Sequence, residues 1–128
     1  MTEIRPRETV ILAEDFPAMV AWYRDVLGLR VTKLLEEHFR YANLETPTGV
    51  RIGITPAEQM GVRPGDRASA TVVLQLEVDD LRAFFAEIEK AGATITGPPA
   101  YDKDPGFWYG GFADPEGNRF WVVDKDCP

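Results

Sequence analysis

Side chains capable of nucleophilic or metal-binding chemistry are scarce in this chain of 128 residues. It contains one histidine, His38, and one cysteine, Cys127. A single cysteine allows neither an internal disulfide nor a thiolate metal cluster within one chain. His38 stands in the polar stretch LLEEHFR, where we expect an exposed loop position.

An aromatic segment near the C terminus is the more informative feature. In FADPEGNRFWVVD, residues 112–124, the turn residues 114–117 precede an apolar strand that contains Trp121. Proline and glycine suit such a turn. Trp121 either packs in the core or lines a cavity, and the segment alone leaves both interpretations open.

Composition restricts the partners. Hydrophobic residues make up 45% and charged residues 27% of the chain, as in ordinary globular domains, and the length fits one domain, residues 1–128. The net charge of −7 disfavours nucleic acid and an anionic membrane surface, so a cationic or neutral small molecule is the expected partner. The N terminus lacks the apolar core of a signal peptide, and every apolar run is too short to span a membrane, which predicts a cytoplasmic protein.

Two amphipathic helices are predicted, each after a strand. Apolar residues recur at helical spacing in residues 14–29 and again in residues 78–93. Asp15 is a candidate N-cap for the first helix, and Asp79 or Asp80 for the second. The stripes comprise Phe16, Met19, Val20, Tyr23, Val26 and Leu27 in the first helix, and Leu81, Phe84, Phe85 and Ile88 in the second.

The chain also repeats itself. When shifted by 68 positions, FRYANLETPTGVRIGI (39–54) matches FWYGGFADPEGNRFWV (107–122) at five of sixteen positions, flanking aromatics included. Turn chemistry alone does not explain the aromatic matches. We therefore predict an α+β fold of two βαβββ repeats, about residues 7–56 and 70–125, joined by a loop at about 57–69. They would form a curved mixed sheet with helices on one side and a concave ligand cavity on the other.

The motifs WYRDVLGL and DPEGN, with this order and repeat, resemble the vicinal oxygen chelate superfamily. That superfamily includes glyoxalase, extradiol dioxygenases and bleomycin-resistance proteins. The resemblance covers about residues 8–124 and implies the glyoxalase/bleomycin-resistance fold. It also implies a small-molecule ligand and a homodimer, in which modules are sometimes exchanged between chains.

The resemblance further implies four metal-binding positions, which correspond here to Glu8, Gly53, Val73 and Trp121. Of these, only Glu8 has a side chain that can ligate. A divalent cation needs several converging oxygen or nitrogen donors. We therefore expect neither a metal nor another cofactor. A one-residue slip in the alignment would exchange the two faces of a strand.

Strand alternation around these positions predicts a cavity that is mostly apolar and aromatic. Its expected lining is Glu8, Val10, Arg51, Gly53, Val73, Gln75, Trp108, Phe112 and Trp121. Trp108 and Phe112 belong to it if residues 114–117 close a tight hairpin that sets Phe112 opposite Arg119. Ile52, Tyr109, Phe120 and Val122 are then expected under the helices. The connection GPPAYDKDPGFW is either a lid that brings Tyr101 and Phe107 to the cavity or a passive loop.

Three classes of function remain. The favoured one is a metal-independent protein that binds or sequesters an aromatic or cationic, antibiotic-like molecule. The alternative is a glyoxalase-like lyase or isomerase, or a dioxygenase-related enzyme, with Glu8 as general base or residual ligand. Arg51 is then the only candidate partner for Glu8, and a weak one. A structural or regulatory module is a third possibility.

Overall fold

The computed structural model describes residues 2–128 and divides into two compact units. Unit 1 extends to Pro64, and unit 2 begins at Gly65. This boundary falls within the segment 57–69 that the repeat predicts as a connection. In the part of the chain that the structure describes, no helix is long and apolar enough to cross a membrane.

Unit 1 is one sheet of four strands with a helix on one face. Its elements are β1 (Thr9–Ala13), α1 (Phe16–Asp25), β2 (Arg30–Leu35), β3 (Tyr41–Glu45) and β4 (Arg51–Pro56), followed by a 3-10 turn at Glu58–Met60. The strand order is β1-β4-β3-β2, with β1 parallel to β4 and the other pairs antiparallel.

Unit 2 repeats this arrangement. After a 3-10 turn at Arg67–Ser69, its elements are β5 (Leu74–Val78), α2 (Leu81–Lys90), β6 (Thr94–Asp102), β7 (Phe107–Ala113) and β8 (Arg119–Asp124). The strand order is β5-β8-β7-β6, again with one parallel and two antiparallel pairs. The predicted α+β fold of two βαβββ repeats is confirmed, with a separate mixed sheet in each repeat.

Both helices begin at an aspartate cap. The Asp15 carboxylate accepts a hydrogen bond from the Ala18 amide at 3.1 Å. Asp80, and not Asp79, does the same for the Ala83 amide at 3.1 Å. The buried residues of each helix all belong to its predicted apolar stripe, which packs on the sheet. They are Phe16, Met19, Val20 and Tyr23 in α1, and Leu81, Phe85 and Ile88 in α2, while Phe84 is half-buried.

The β3–β4 and β7–β8 hairpins have turns of the same kind. The Asp114 amide donates to the Asn118 carbonyl at 3.0 Å, and in unit 1 the Thr46 amide donates to the Val50 carbonyl at 2.9 Å. Gly117 and Gly49 have φ values of 88° and 102°, a region that favours glycine. The loop in unit 2 spans residues 114–118, so Ala113 pairs with Arg119.

This loop is one residue longer than the tight hairpin predicted from the sequence, and the difference exchanges the faces of β7. Phe112 pairs with Phe120 and is fully buried on the helix-covered face, so its predicted place in the cavity lining is wrong. Trp108 lies on that face too, with the Arg82 guanidinium of α2 4.4 Å above its ring. Tyr109 is instead on the opposite face and is 45% exposed.

The predicted connection GPPAYDKDPGFW is also largely a strand. Strand β6 continues to Asp102 and leaves only residues 103–106 as a turn before β7. β6 is at the edge of the sheet, where proline is tolerated because no further strand needs its missing amide hydrogen. Its pairing shifts on both sides of Gly97. Residues 97–102 thus belong to strand β6, and both predictions for them, a lid and a passive loop, are wrong.

Gly110 allows α2 to approach β7 closely. A Cβ atom there would lie 2.8 Å from Phe85 Cζ and 3.1 Å from the Gly97 carbonyl oxygen. We expect Gly110→Ala to lower the free energy of unfolding by about 1–3 kcal/mol through overpacking, measured by urea denaturation. Gly97→Ala is the control, because a Cβ there meets nothing nearer than the Gly111 nitrogen at 3.5 Å. Equal losses in the two variants would contradict this account.

Candidate functional site

The face of each sheet opposite its helix, here called the open face, carries most of the predicted site residues. In unit 1, Val10 pairs with Gly53, and Gly53 pairs with Asn43. Ile52 and Ile54 are buried towards the helix, so Arg51 and Gly53 point to the open face, as the alternation predicts. Glu8 precedes β1 directly and is half-buried.

Glu8 is held by two neutral donors from β3. The Tyr41 hydroxyl donates to Glu8 Oε2, and Asn43 Nδ2 donates to Glu8 Oε1 at 2.8 Å. Glu8, Tyr41 and Asn43 are called the Glu8 cluster below. Tyr41 and Asn43 are not among the residues predicted from the sequence, because the pairing of Asn43 with Gly53 depends on the register of the hairpin.

Gly53 leaves the space that the Glu8 cluster fills. A Cβ at this position would lie 2.8 Å from Tyr41 Cζ, and nearer still to the Tyr41 hydroxyl and to Glu8 Oε2. Any side chain at position 53 would therefore displace one of these groups. The tyrosine and the carboxylate now occupy the place where the superfamily resemblance predicts a second metal ligand.

Burial and the Glu8 carboxylate raise the pKa of Tyr41 to about 12. Burial is the largest cause, followed by the hydrogen bond to Glu8 and by its negative charge, while the positive charge of Arg7 acts in the opposite direction. The phenol is therefore a protonated donor throughout the physiological pH range.

This shift makes stability dependent on alkaline pH. Because the pKa of Tyr41 is higher in the folded than in the unfolded chain, its contribution is complete below about pH 10 and is lost as the pH rises through about 12. We expect a tyrosine-ring NMR titration to show this pKa, with Tyr41→Phe identifying the signal. Glu8→Gln should lower it only partway towards 10, because burial remains. An unchanged value would contradict the role of Glu8.

In unit 2 the open face forms a groove with a volume of about 490 Å³. Its lining includes Gln75, Thr96, Pro98, Phe107, Tyr109, Gly111, Arg119, Trp121, Val123 and Cys127. Trp121 forms part of the groove wall, and 58% of its surface is exposed. Gln75 and Gly111 flank it as its pairing partners on β5 and β7.

The predicted site residues thus separate into two groups. Gln75 and Trp121 come together in the groove of unit 2, where Phe107, Tyr109 and Arg119 join them. The groove lining includes neither Phe112 nor Val73, a half-buried residue directly before β5. Glu8, Val10, Arg51 and Gly53 belong to the open face of unit 1. Arg51 lies 3.6 Å from Glu45 as an exposed ion pair.

The four positions predicted by the resemblance are structurally equivalent in pairs. Glu8 and Val73 each directly precede the first strand of their unit, and each lies seven residues before the helix cap. Gly53 and Trp121 occupy the same place in the parallel pairing, opposite Val10 and Gln75. Among residues 2–128, no group of three or more His, Cys, Asp or Glu side chains is arranged to hold a metal ion.

Two βαβββ units with helix-free open faces define the class of fold, and comparison with known families gives the same class. The family profile of the Glyoxalase/Bleomycin resistance protein/Dioxygenase superfamily matches residues 5–122. The chain therefore belongs to this superfamily. A comparison with curated proteins gives no match.

Solved structures show the same fold. A superfamily member from Sphaerobacter thermophilus DSM 20745 has 21% identity and a TM-score of 0.74, with 95% of this chain and 98% of that chain covered. A family enzyme from Burkholderia phytofirmans PsJN has 21% identity and a TM-score of 0.72, with 91% and 95% covered. Glyoxalase I from Zea mays has 20% identity and a TM-score of 0.74, with 91% and 43% covered. At these identities the likeness concerns the fold.

Proposed function

We propose that this protein binds an aromatic small molecule, cationic or neutral, in the groove of unit 2, and that it does so without a metal. The observation that carries the proposal is the exposed Trp121 ring in the wall of a groove of about 490 Å³. This volume lies in the range of ordinary ligand pockets. The small-molecule ligands of the superfamily support the same conclusion.

The lining suits a planar, apolar guest. Trp121, Tyr109 and Phe107 offer aromatic faces, and each favourable stacking contact contributes about 0.5–1.5 kcal/mol beyond the buried area. Gly111 pairs with Trp121 and has no side chain, which leaves space for a ligand beside the ring. Gln75 beside Trp121 supplies a polar group that can orient the guest.

The Glu8 cluster supports the metal-independent part of the proposal. Of the four predicted ligand positions, only Glu8 has a side chain with oxygen donors. A divalent cation requires more donors than this. We expect elemental analysis of the purified protein to find less than stoichiometric metal. A stoichiometric, tightly held Zn, Ni, Fe or Mn would contradict the proposal.

Trp121→Ala tests the binding site itself. Planar aromatic cations such as acridine orange should quench tryptophan fluorescence and raise the thermal stability of the protein. We expect Trp121→Ala to weaken this binding by about tenfold or more, which corresponds to about 1.4 kcal/mol. Trp22→Phe, in α1 of unit 1, is the control and should retain the affinity. No response to a chemically diverse panel of aromatic compounds would contradict the proposal.

The second candidate is a lyase or isomerase that acts beside a carbonyl group, with Glu8 as base. The observation in its favour is the fixed orientation that Tyr41 and Asn43 give to the Glu8 carboxylate. If this candidate is correct, Glu8→Gln abolishes turnover and leaves thermal unfolding close to that of the unaltered protein. An active Glu8→Gln variant would exclude it.

We also propose that the protein is cytoplasmic and that it forms a homodimer, the assembly that the superfamily resemblance implies. Sedimentation equilibrium of the purified protein tests the assembly directly. A monomer at concentrations well above those used for ligand binding would contradict it.

A further inference from the structure

We propose that the Glu8 cluster is a second binding site, specific for a protonated primary amine that bears an apolar group. In this site Glu8 provides the charge, and Tyr41 and Asn43 are positioning residues. The site lies on the open face of unit 1, and none of its three residues lines the groove in unit 2.

The first support is a negative charge that belongs to none of the ion pairs among the described residues. Within residues 2–128, no ion pair includes Glu8. Glu45, also in unit 1, differs because it lies 3.4 Å from Arg30 and 3.6 Å from Arg51. Arg7 is the nearby cation, and its side chain is exposed. A half-buried carboxylate with only neutral hydrogen-bond donors gains from a cationic partner.

The second support is the balance of donors and acceptors. Tyr41 uses its only hydroxyl proton on Glu8, and Asn43 uses an amide hydrogen there. The Glu8 carboxylate, the phenol oxygen of Tyr41 and the side-chain oxygen Oδ1 of Asn43 keep unused lone pairs. This surface is rich in acceptors. A primary ammonium group, with one positive charge and three N–H donors, matches it, whereas an anion is repelled.

The third support is an apolar surface next to the carboxylate. The Phe39 ring stacks on Tyr41 with a centroid distance of 6.1 Å and an interplanar angle of 14°, and it is 49% exposed. Val10, opposite Gly53, is also exposed. These side chains can cover the hydrocarbon part of an amine, and an aromatic face attracts a nearby cation. The expected ligand class is therefore an alkyl or arylalkyl primary amine.

Benzylamine is the probe, and benzyl alcohol is its uncharged counterpart. NMR titration of the full chain should show shifts at Val10, Asn43 and Gly53, with benzyl alcohol binding about tenfold more weakly or not at all. The trimethylbenzylammonium ion keeps the charge without N–H donors and should also bind more weakly. If the unaltered protein bound the three compounds with equal affinity at this site, the proposal would be overturned.

Variants locate the charge that is recognised. Glu8→Gln should lower the affinity for benzylamine about tenfold, to the level of benzyl alcohol, with the fold checked by thermal unfolding. Glu45→Gln is the matched control, because that carboxylate is already paired with arginines, and it should change the affinity less than about twofold. Unchanged benzylamine affinity in folded Glu8→Gln would overturn the proposal.

Tyr41→Phe tests positioning. It retains the Glu8 charge but removes one donor, so the ratio of benzylamine to benzyl alcohol affinity should fall about threefold, less than in Glu8→Gln. An unchanged ratio would show that Tyr41 does not position the carboxylate. Trp121→Ala should leave the benzylamine-induced shifts at Val10, Asn43 and Gly53 unchanged, whereas binding of acridine orange in the groove of unit 2 should weaken, so the two proposals fail independently.

Discussion

Replacing Phe112 with alanine is expected to lower the free energy of unfolding by about 3–5 kcal/mol, whereas Trp121→Ala should cost about 1 kcal/mol or less. Phe112 is fully buried, and its ring stacks on Phe120 with a centroid distance of 4.8 Å. Phe84 and Phe85 of α2 meet it edge-on. Alanine would leave a cavity that these rings cannot fill, while the exposed Trp121 leaves none.

Urea denaturation measures both changes. Tyr109→Ala is the matched control, because Tyr109 is an aromatic residue of the same strand on the opposite face. It should cost far less than Phe112→Ala. A larger loss for Tyr109→Ala than for Phe112→Ala would mean that β7 pairs with β8 one residue out of the register described above.

Asp114→Ala is expected to cost about 2–4 kcal/mol, the second large effect. The Asp114 side chain is buried and accepts hydrogen bonds from the turn that closes the hairpin. They come from the Glu116 amide at 3.0 Å, the Asn118 amide at 2.9 Å and Asn118 Nδ2 at 2.8 Å. Alanine leaves these donors without their acceptor in a loop that fixes the register of β7 and β8.

The equivalent turn of unit 1 supplies the control. Thr46 stands at the position of Asp114, and its hydroxyl accepts from the Val50 amide at 3.1 Å. With one uncharged acceptor in place of a carboxylate, Thr46→Ala should cost about 0.5–1.5 kcal/mol. Thermal unfolding of the two variants compares the turns directly. Equal losses would show that the extra hydrogen bonds of Asp114 contribute little.

The sequence was sufficient to predict the repeat, both helices and the fold class, because these depend on local signals. The helix caps Asp15 and Asp80 and the apolar stripes are readable within one turn of helix. The shift of 68 residues also aligned Gly53 with Trp121, and the pairing of the strands agrees with it.

The register of the second hairpin was not predictable in the same way. Turn residues 114–117 mark where the chain reverses, but they do not determine whether residue 112 or residue 113 faces Arg119. The structure selects Ala113, with Asn118 completing the loop. This one-residue difference moved Phe112 and Trp108 out of the predicted cavity lining and moved Tyr109 into the groove.

The Glu8 cluster was missed for a different reason. Glu8 and its two partners are more than thirty residues apart in the chain and meet only because β1, β4 and β3 are neighbours in the sheet. The absence of a side chain at Gly53 signalled open space, and the sequence gives no direct indication of which group fills it. Such a contact between distant segments requires the strand order as well as the motif.

The shared hairpin turn has a consequence for how this protein can change. Both halves have the same hairpin loop, the same strand order and one helix packed on their own sheet, yet the open face carries the Glu8 cluster in one half and an aromatic groove in the other. In each half, the residues that pack between sheet and helix are thus distinct from the residues exposed on the open face. One half can therefore acquire a new specificity through substitutions at its exposed strand positions, while its own hydrophobic core and the other half stay unchanged.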